Sequence, residues 1–361
     1  GGFCKFAYGK RFNVINKERH HKAYLNLNTS VEDSFLISND FNLIYAKVNV
    51  QDNPQSPSYP ALPFLSRNIL PGEGSSPFEN EIKWRGRPLG SNYPSPFSTK
   101  DIYQYHITDS MKFSFFENDF FDISITHSAH SNLAIRPDII NSRFQEALAG
   151  KGGERKNLSW NLFADINPDE LVQYVSGNHI ARKKGSLSSI DGIYLTNFNE
   201  IYFSAGFQIV RDTLDIQYND LGRIEVNKEG QITKQADLFF LGGGTDVNKA
   251  RSKAAFFGEL NKSISETLEI RADLRYEDFK NENSLDPKIS LRFHPNDIFS
   301  LRFSTGTSFT MPSMSQMFGS DIVLGSVRDI NGSVFVRQGQ AGNPLLRPAR
   351  SINTNLGLIF Y

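Results

Sequence analysis

The chain has 361 residues, and its 39 Lys and Arg side chains balance 39 Asp and Glu side chains. This balance excludes the general basic surface of a nucleic-acid-binding protein, so no nucleic-acid partner is expected. A content of 39% hydrophobic and 12% aromatic residues excludes a disordered chain. The single cysteine, Cys4, excludes an intrachain disulfide framework and a cysteine-based zinc site, and its role stays open.

No stretch approaches 18 consecutive apolar residues, which leaves β-strands as the only route through a bilayer. The chain begins Gly1-Gly2-Phe3, without an initiator Met, a basic n-region or an apolar h-region. We therefore expect either a removed signal or a fragment. Composition alone leaves both a soluble and a membrane-inserted β-protein open.

Apolar and polar residues alternate along much of the chain. The clearest stretch is 268–277, in which every even position is apolar or aromatic and every odd position is charged. This period of two predicts β-strands with one apolar and one polar face. The alternation recurs at 25–28, 103–115 (with Asp109 as the one exception), 121–126, 201–209, 289–293 and 299–304.

The connections between these strands alternate in length. If consecutive strands run up and down, all short turns lie at one end of the sheet and all long loops at the other, as in a transmembrane β-barrel. A soluble β-sandwich is the alternative, but very long loops at one end disfavour it. Short turns are predicted near 32–34, 117–119, 197–200, 261–266 and 294–297, and long outer loops near 51–100, 131–185, 219–248 and 310–349.

Two short helices are predicted inside the 131–185 loop. For one of them Asn167 is the predicted N-cap, Pro168 is the first helical residue and Gly177 is the stop. The other runs from Asp138 to Leu148. The proline-rich 51–100 loop is predicted to be irregular.

Several motifs in the second half of the chain resemble the barrel of TonB-dependent outer-membrane receptors. Ala349 stands where that family usually has an acid. The motifs include Ala255-Phe256-Phe257-Gly258-Glu259-Leu260, Ser308-Phe309-Thr310-Met311-Pro312-Ser313 and Gly342-Asn343-Pro344-Leu345-Leu346-Arg347-Pro348.

This resemblance implies an all-β fold, namely an antiparallel up-and-down transmembrane β-barrel in the bacterial outer membrane. Barrels of the family have about 22 strands and enclose an N-terminal plug domain. The alternation gives about 12 strand candidates, so we interpret 1–361 as a partial β-barrel domain without the plug and the C-terminal strands.

The implied function is that of an import receptor, not an enzyme. Such a receptor takes up a scarce small-molecule ligand, for example an iron–siderophore chelate, and is driven by the TonB complex acting through the plug. Its other partner is the outer-membrane lipid, and no cofactor is implied. A passive porin-like channel and a soluble secreted β-protein are the alternatives.

The first long loop is rich in aromatic and arginine residues, which are typical of recognition surfaces. We predict a ligand-binding surface there, centred on Trp84-Arg85-Gly86-Arg87, which would suit an anionic chelate. The alternative is a loop that packs on its neighbours or on lipopolysaccharide. The candidate ligand-binding residues are Tyr59, Arg67, Trp84, Arg85 and Arg87.

Four charged side chains of the 268–277 stretch are predicted to face the lumen, because charges on the lipid face are penalised. They are Glu269, Arg271, Asp273 and Arg275. They would form a salt-bridged wall around the plug or guide a polar ligand.

The sequence gives little indication of a metal site, a phosphate-binding loop or an enzyme active site. The seven histidines show no metal-ligand spacing, so no metal site is expected. The run Gly242-Gly243-Gly244-Thr245 lacks the lysine and the helix of a phosphate loop and is interpreted as a flexible loop. No GxSxG or HExxH motif indicates an enzyme.

Overall fold

A computed structural model describes residues 13–31, 35–54, 67–84, 86–89, 92–94, 96–116, 118–227, 229, 231–279, 282–329 and 332–361. Cys4, Tyr59 and Arg85 lie outside these residues. The described part consists mostly of antiparallel strands. In chain order they are β1 (Lys17–Ser30), β2 (Leu36–Pro54), β3 (Arg67–Ile69), β4 (Ile82–Trp84), β5 (Phe97–Phe116), β6 (Asp119–Ile139), β7 (Ser176–Phe198), β8 (Ile201–Tyr218), β9 (Glu225–Val226), β10 (Ile232–Lys234), β11 (Val247–Ser265), β12 (Leu268–Asp278), β13 (Asn283–Asn296), β14 (Phe299–Thr310), β15 (Ser320–Asp329), β16 (Gly332–Ala341) and β17 (Ala349–Phe360).

Eleven of these strands form one sheet with the order β1-β2-β5-β6-β7-β8-β11-β12-β13-β14-β17. Each strand of the sheet therefore pairs with the one that precedes it and the one that follows it in the chain. This is the up-and-down arrangement that the alternating connections predict, with eleven strands where the alternation suggested about 12. The sheet is open, since β1 and β17 do not pair with each other in the described residues.

The long connections carry the other elements. Three two-stranded hairpins, β3–β4, β9–β10 and β15–β16, lie in three different links. A 3-10 turn occupies Glu73–Ser75. The helices are α1 (Asn141–Leu148), α2 (Asp169–Val175) and α3 (Met314–Phe318). No helix in the described ranges is long and apolar enough to span a membrane.

The predicted loop boundaries need correction on both sides of the 131–185 loop. Residues 131–139 belong to β6 and residues 176–185 belong to β7, so the connection between the two strands is much shorter than predicted. Here both faces of the strands carry polar side chains, including Arg182 and Lys184 on one face and Lys183 on the other. The apolar–polar alternation therefore disappears although the backbone ladder continues.

The two helix starts also differ from the prediction. Asn167 does not cap α2, whose N-cap is Pro168. Instead the Asn167 side chain accepts a hydrogen bond from the Asn161 backbone amide at 2.7 Å and orders the preceding turn. Asp138 lies in β6 rather than in α1, and its carboxylate accepts hydrogen bonds from the backbone amides of Phe240 and Leu241 at 3.0 and 2.6 Å. Both side chains stabilise loops rather than helices.

Three long links pack together into one hydrophobic core above the sheet. Phe144 of α1 lies at its centre, with its ring edge-on to Trp160 and to Phe239 at 5.6 Å each. The three links therefore form one folded unit instead of three independent loops. The buried core residues are Ile69, Leu89, Ile139, Phe144, Ala147, Leu148, Trp160, Leu171, Val175, Phe239 and Phe240.

The sheet has one apolar and one polar face. Ile125, Ile190 and Ile209 lie directly opposite one another on β6, β7 and β8, and their side chains are 55%, 39% and 50% exposed. The other face, here called the polar face, carries ion pairs such as Arg251–Asp212 at 2.7 Å. The long links fold onto this polar face, because Arg251 also donates to the Pro312 carbonyl oxygen at 2.8 Å.

Candidate ligand-binding site

A cavity of about 510 Å³ opens on the polar face at the end of the sheet that carries the long links. Four neighbouring strands, the glycine run and the β15–β16 hairpin enclose it. Its lining residues are Lys100, Asn132, Ala134, Arg136, His179, Ala181, Lys183, Tyr218, Phe240, Leu241, Gly242, Gly243, Asp321 and Ile322.

Strand register brings the polar groups of the cavity together. Lys100, Ala134, Ala181 and Tyr218 lie directly opposite one another across β5, β6, β7 and β8. Two residues farther along, Arg136 of β6 lies opposite His179 of β7. Because neighbouring strands are about 4.8 Å apart, side chains from distant parts of the sequence share one surface.

Asp321 connects the β15–β16 hairpin to the wall of the cavity. Its carboxylate accepts a hydrogen bond from the Lys183 ammonium at 2.7 Å and another from the Tyr218 hydroxyl. Burial favours the neutral acid, but these hydrogen bonds and the charge of Lys183 outweigh it, so the pKa of Asp321 is lowered. The hairpin is therefore held to the sheet by an ionised carboxylate.

His179 lies in this cavity as a buried, neutral imidazole. β7 has 23 residues and β8 has 18, whereas about 9–11 residues cross a bilayer. His179 and Tyr218 lie at the ends of these strands, outside a central stretch of that length. The pKa of His179 is lowered to about 4, chiefly because the imidazole is buried and secondly because of the positive charge of Arg136. Burial and the hydrogen bond to Asp321 raise the pKa of Tyr218.

The cations of the cavity are only partly neutralised. Lys100 pairs with Asp52 at 2.8 Å and Lys183 pairs with Asp321 at 2.7 Å. Arg136 is exposed, and among the described residues no carboxylate lies within ion-pair distance of it. The cavity therefore offers a guanidinium group, with its fork of donors, to an anion.

The glycine run is tightly packed, which corrects its interpretation as a flexible loop. A Cβ atom on Gly243 would lie 1.9 Å from the Gly222 carbonyl oxygen, and one on Gly242 would lie 2.4 Å from the Ile322 carbonyl oxygen. The Ile322 amide donates to the Gly243 carbonyl oxygen at 2.7 Å. Side chains are absent here because two backbones approach closely.

The structure spreads the predicted ligand-binding residues over different environments. Trp84, in β4, packs against the loop core with its ring 6.4 Å from that of Phe144. Arg87 is half-buried, and Arg67 lies in β3, paired with Trp84. Tyr59 and Arg85 fall outside the described residues. None of the described residues in this set lines the cavity at the sheet end.

The predicted wall residues share the polar face and form a network. Arg271 pairs with Glu259 at 2.6 Å and with Asp273 at 3.0 Å, whereas Glu269 lies 3.7 Å from Arg292. Arg275 pairs with Glu277 at 2.6 Å and donates to Gln208 at 3.0 Å. Alternating charges on neighbouring strands thus satisfy one another. The lumen-facing assignment itself stays a prediction.

Sequence reasoning missed Arg136, His179, Tyr218 and Asp321 as members of one site. No local motif joins them, because each comes from a different strand. The one available signal was charge at strand ends beside long links, such as Arg136 after the 121–126 alternation. In the described residues no group of three or more His, Cys, Asp or Glu side chains could hold a metal ion.

Comparison with known proteins identifies the family. The model of the TonB dependent receptor-like β-barrel family matches residues 22–361. The chain belongs to this family. TonB-dependent receptors are outer-membrane transport proteins.

Solved structures with the same fold include receptors of two bacteria. A ferric enterobactin receptor mutant from Pseudomonas aeruginosa is 12% identical, with a TM-score of 0.54, over 96% of this chain and 41% of that one. The siderophore receptor PirA from Acinetobacter baumannii is 14% identical, with a TM-score of 0.52, over 96% of this chain and 41% of that one.

The RagAB peptide importer is 11% identical, with a TM-score of 0.52, over 95% of this chain and 38% of that one. This chain thus spans about two-fifths of the length of these proteins. No curated protein matches it in sequence. At sequence identities this low, the similarity shows that these proteins share a fold with the chain.

Proposed function

We propose that this chain is the ligand-binding wall of an outer-membrane receptor for energy-coupled uptake of a scarce anionic ligand, such as an iron–siderophore chelate. The observation that carries the proposal is the cavity at the end of the polar face, with Arg136 unneutralised beside it. A cavity at the mouth of a barrel is a usual place for a small-molecule site.

The electrostatics of the cavity favour an anion. Arg136, Lys100 and Lys183 contribute three cations, and Asp321 contributes one carboxylate to the lining. His179 adds no charge at neutral pH, because its pKa is about 4. An anionic ligand would therefore gain an ion pair with Arg136 without having to displace an existing one.

The energy source belongs to the same proposal. In the family that this chain resembles, the TonB complex pulls on a plug domain inside the barrel, and the full-length protein would work in this way. The salt-bridged wall of Glu269, Arg271, Asp273 and Arg275 would then face that plug. Uptake by the full-length receptor should stop when the proton-motive force is dissipated. Uptake that persists would support a passive channel instead.

The binding test uses the full-length receptor in detergent, titrated calorimetrically with an anionic ferric catecholate and a neutral ferric hydroxamate. Arg136→Ala should weaken catecholate binding about 10- to 100-fold, the range for a charge-assisted hydrogen bond, and Arg136→Lys should weaken it less. The control Arg155→Ala removes an exposed loop arginine and should leave binding unchanged. Equal binding by Arg136→Ala, or no binding of either chelate by the unaltered receptor, would contradict the proposal.

A further inference from the structure

Two arginines lie directly opposite each other on the polar face, close to a short turn. Arg292 of β13 lies opposite Arg302 of β14, and only two residues separate these two strands in the chain. The Cβ atoms of directly opposite residues are about 4.5–5.5 Å apart, and like charges in such positions destabilise a sheet. An anion that binds both guanidinium groups would offset this repulsion.

A cavity of about 640 Å³ opens beside the two arginines. Gly357 of β17 lies directly opposite Arg302 on its other side, and a Cβ atom on Gly357 would have no neighbour within 4 Å. The missing side chain leaves room for a ligand against the Arg302 guanidinium group. The charged side chains that line the cavity are Glu269, Arg271, Lys288, Arg292 and Arg302.

Three of these cations are poorly neutralised. Glu269 lies 3.7 Å from Arg292, and Arg292 is 3.5 Å from the Tyr361 hydroxyl. Arg302 and Lys288 are exposed, and among the described residues no carboxylate lies within ion-pair distance of either. We define the turn-side cationic site as Lys288, Arg292 and Arg302. It carries two unpaired cations and a third whose ion pair is long.

Uncharged polar side chains adjoin the turn-side cationic site. Ser290, Ser304 and Asn355 lie directly opposite one another on β13, β14 and β17. Residues two apart along a strand share a face, so Ser290 lies between Lys288 and Arg292 on the polar face. The hydroxyl and amide groups can donate hydrogen bonds to further oxygen atoms of an anion, and they add no negative charge.

The turn-side cationic site and the Arg136 cavity lie at opposite ends of the sheet. Arg302 closely follows the turn between β13 and β14, whereas Arg136 lies near the long link that follows β6. In bacterial transmembrane barrels the short turns face the periplasm and the long loops face the outside. The turn-side cationic site therefore belongs to the periplasmic end of the wall, where a ligand would leave the barrel.

We propose that the turn-side cationic site binds small anions that carry two or more carboxylate or phosphate groups. Two arginine forks and a lysine ammonium suit several negatively charged oxygen atoms, because each fork can donate two parallel hydrogen bonds. A neutral ligand would leave the repulsion between Arg292 and Arg302 in place. That an imported anion is bound here on its way out rests on the proposed function, whereas the binding itself does not.

The binding test titrates the full-length receptor in detergent calorimetrically with citrate, pyrophosphate and the uncharged triethyl ester of citrate. The receptor carries Arg136→Ala, so that the Arg136 cavity contributes little. Both anions should bind, and the ester should not. Arg302→Gln should weaken the binding of both anions about 10- to 100-fold, the range for a hydrogen bond to a charged group. Arg302→Lys should weaken it less, because it keeps the charge but loses the fork.

Lys22→Gln is the matched control. Lys22 is exposed on β1, opposite Ala46 on the polar face, and β1 lies at the other edge of the sheet from β14 and β17. Its replacement removes one positive charge far from the turn-side cationic site, so anion binding should not change. Binding of neither anion, binding of the ester as tightly as of citrate, or unchanged binding by Arg302→Gln would overturn the proposal.

A site-specific measurement uses the unaltered full-length receptor. Phenylglyoxal modifies accessible guanidinium groups, and mass spectrometry of the resulting peptides reports each arginine separately. Citrate should slow the modification of Arg302 and leave that of Arg155, an exposed loop arginine, unchanged. The proposal is wrong if Arg302 is modified equally with and without citrate, or is not modified at all because another part of the receptor covers it. Protection of Arg302 together with unweakened catecholate binding by Arg136→Ala would contradict the proposed function alone.

Discussion

Asp321 joins the β15–β16 hairpin to the sheet through its side chain. It accepts hydrogen bonds from Lys183 and Tyr218, two side chains on different strands. A half-buried carboxylate stays ionised when such partners replace the water that it has lost. The hairpin is thereby tied to the cavity, which His179 also lines as a buried side chain.

The neutral state of His179 predicts a pH dependence of stability. Its pKa is about 4 in the folded protein against 6.5 ordinarily, so below pH 6.5 the unfolded chain binds a proton that the folded chain does not. Stability should therefore fall as the pH falls from 6.5 to 4, by about 2 kcal/mol at pH 5 relative to pH 7. Thermal unfolding of the full-length receptor in detergent at these two pH values measures the effect.

The comparison variants for this experiment are His179→Gln and His21→Gln. His179→Gln removes the titrating group and should reduce the difference between pH 7 and pH 5. His21 is exposed on β1, so its replacement should leave the difference unchanged. A pH dependence identical in all three proteins would show that His179 does not cause it.

At the scale of elements, the glycine run is the point where two backbones meet. Gly242, Gly243 and Gly244 lie against the start of the β15–β16 hairpin and the 219–223 turn, with no room for Cβ atoms. The segment therefore acts as a packing surface between two long links. The 219–246 link also contributes Phe239 and Phe240 to the hydrophobic core around Phe144.

Gly243→Ala should separate these backbones and destabilise the packed links by about 1–3 kcal/mol, the range for overpacking. Gly339→Ala is the control, because a Cβ atom there has no neighbour within 4 Å. Limited proteolysis of the full-length receptor should show faster cleavage within 219–246 for Gly243→Ala alone. Equal cleavage of both variants would contradict a packing role.

At the scale of the whole molecule, the sheet separates two environments. Exposed apolar side chains cover one face, and ion pairs and the folded links cover the other. An exposed apolar surface of this extent is unusual in a soluble protein and typical of a lipid-facing one. The curvature of a barrel would place the polar face inside.

The two-face arrangement predicts lipid contact with a period of two along β12. Nitroxide labels at successive positions of 268–277 in the membrane-embedded full-length receptor should be quenched by a lipid-soluble reagent at 268, 270, 272 and 274. Labels at Glu269, Arg271, Asp273 and Arg275 should respond to a water-soluble reagent instead. Accessibility without this alternation would refute the lumen-facing assignment.

The sequence by itself determined the alternating strands, their two faces and the up-and-down order of the eleven-stranded sheet. Alternation along 268–277 is a local property of the chain, and a short turn such as the one predicted at 197–200 leaves the strands on either side of it no partner but each other. Short helices also followed from local signals. The capping box of α3, with Ser313 and Gln316, is a further local signal that the sequence contains and the sequence reasoning overlooked.

Only the tertiary structure decided the site. Lys100, Arg136, His179, Tyr218 and Asp321 meet because strand register aligns residues that are far apart in the chain, and no local pattern encodes that alignment. The role of the glycine run was hidden for the same reason, since its close neighbours are Gly222 and Ile322. Near the long links both faces of β6 and β7 carry polar side chains and the alternation disappears, so the full lengths of these strands also emerged only from their pairing.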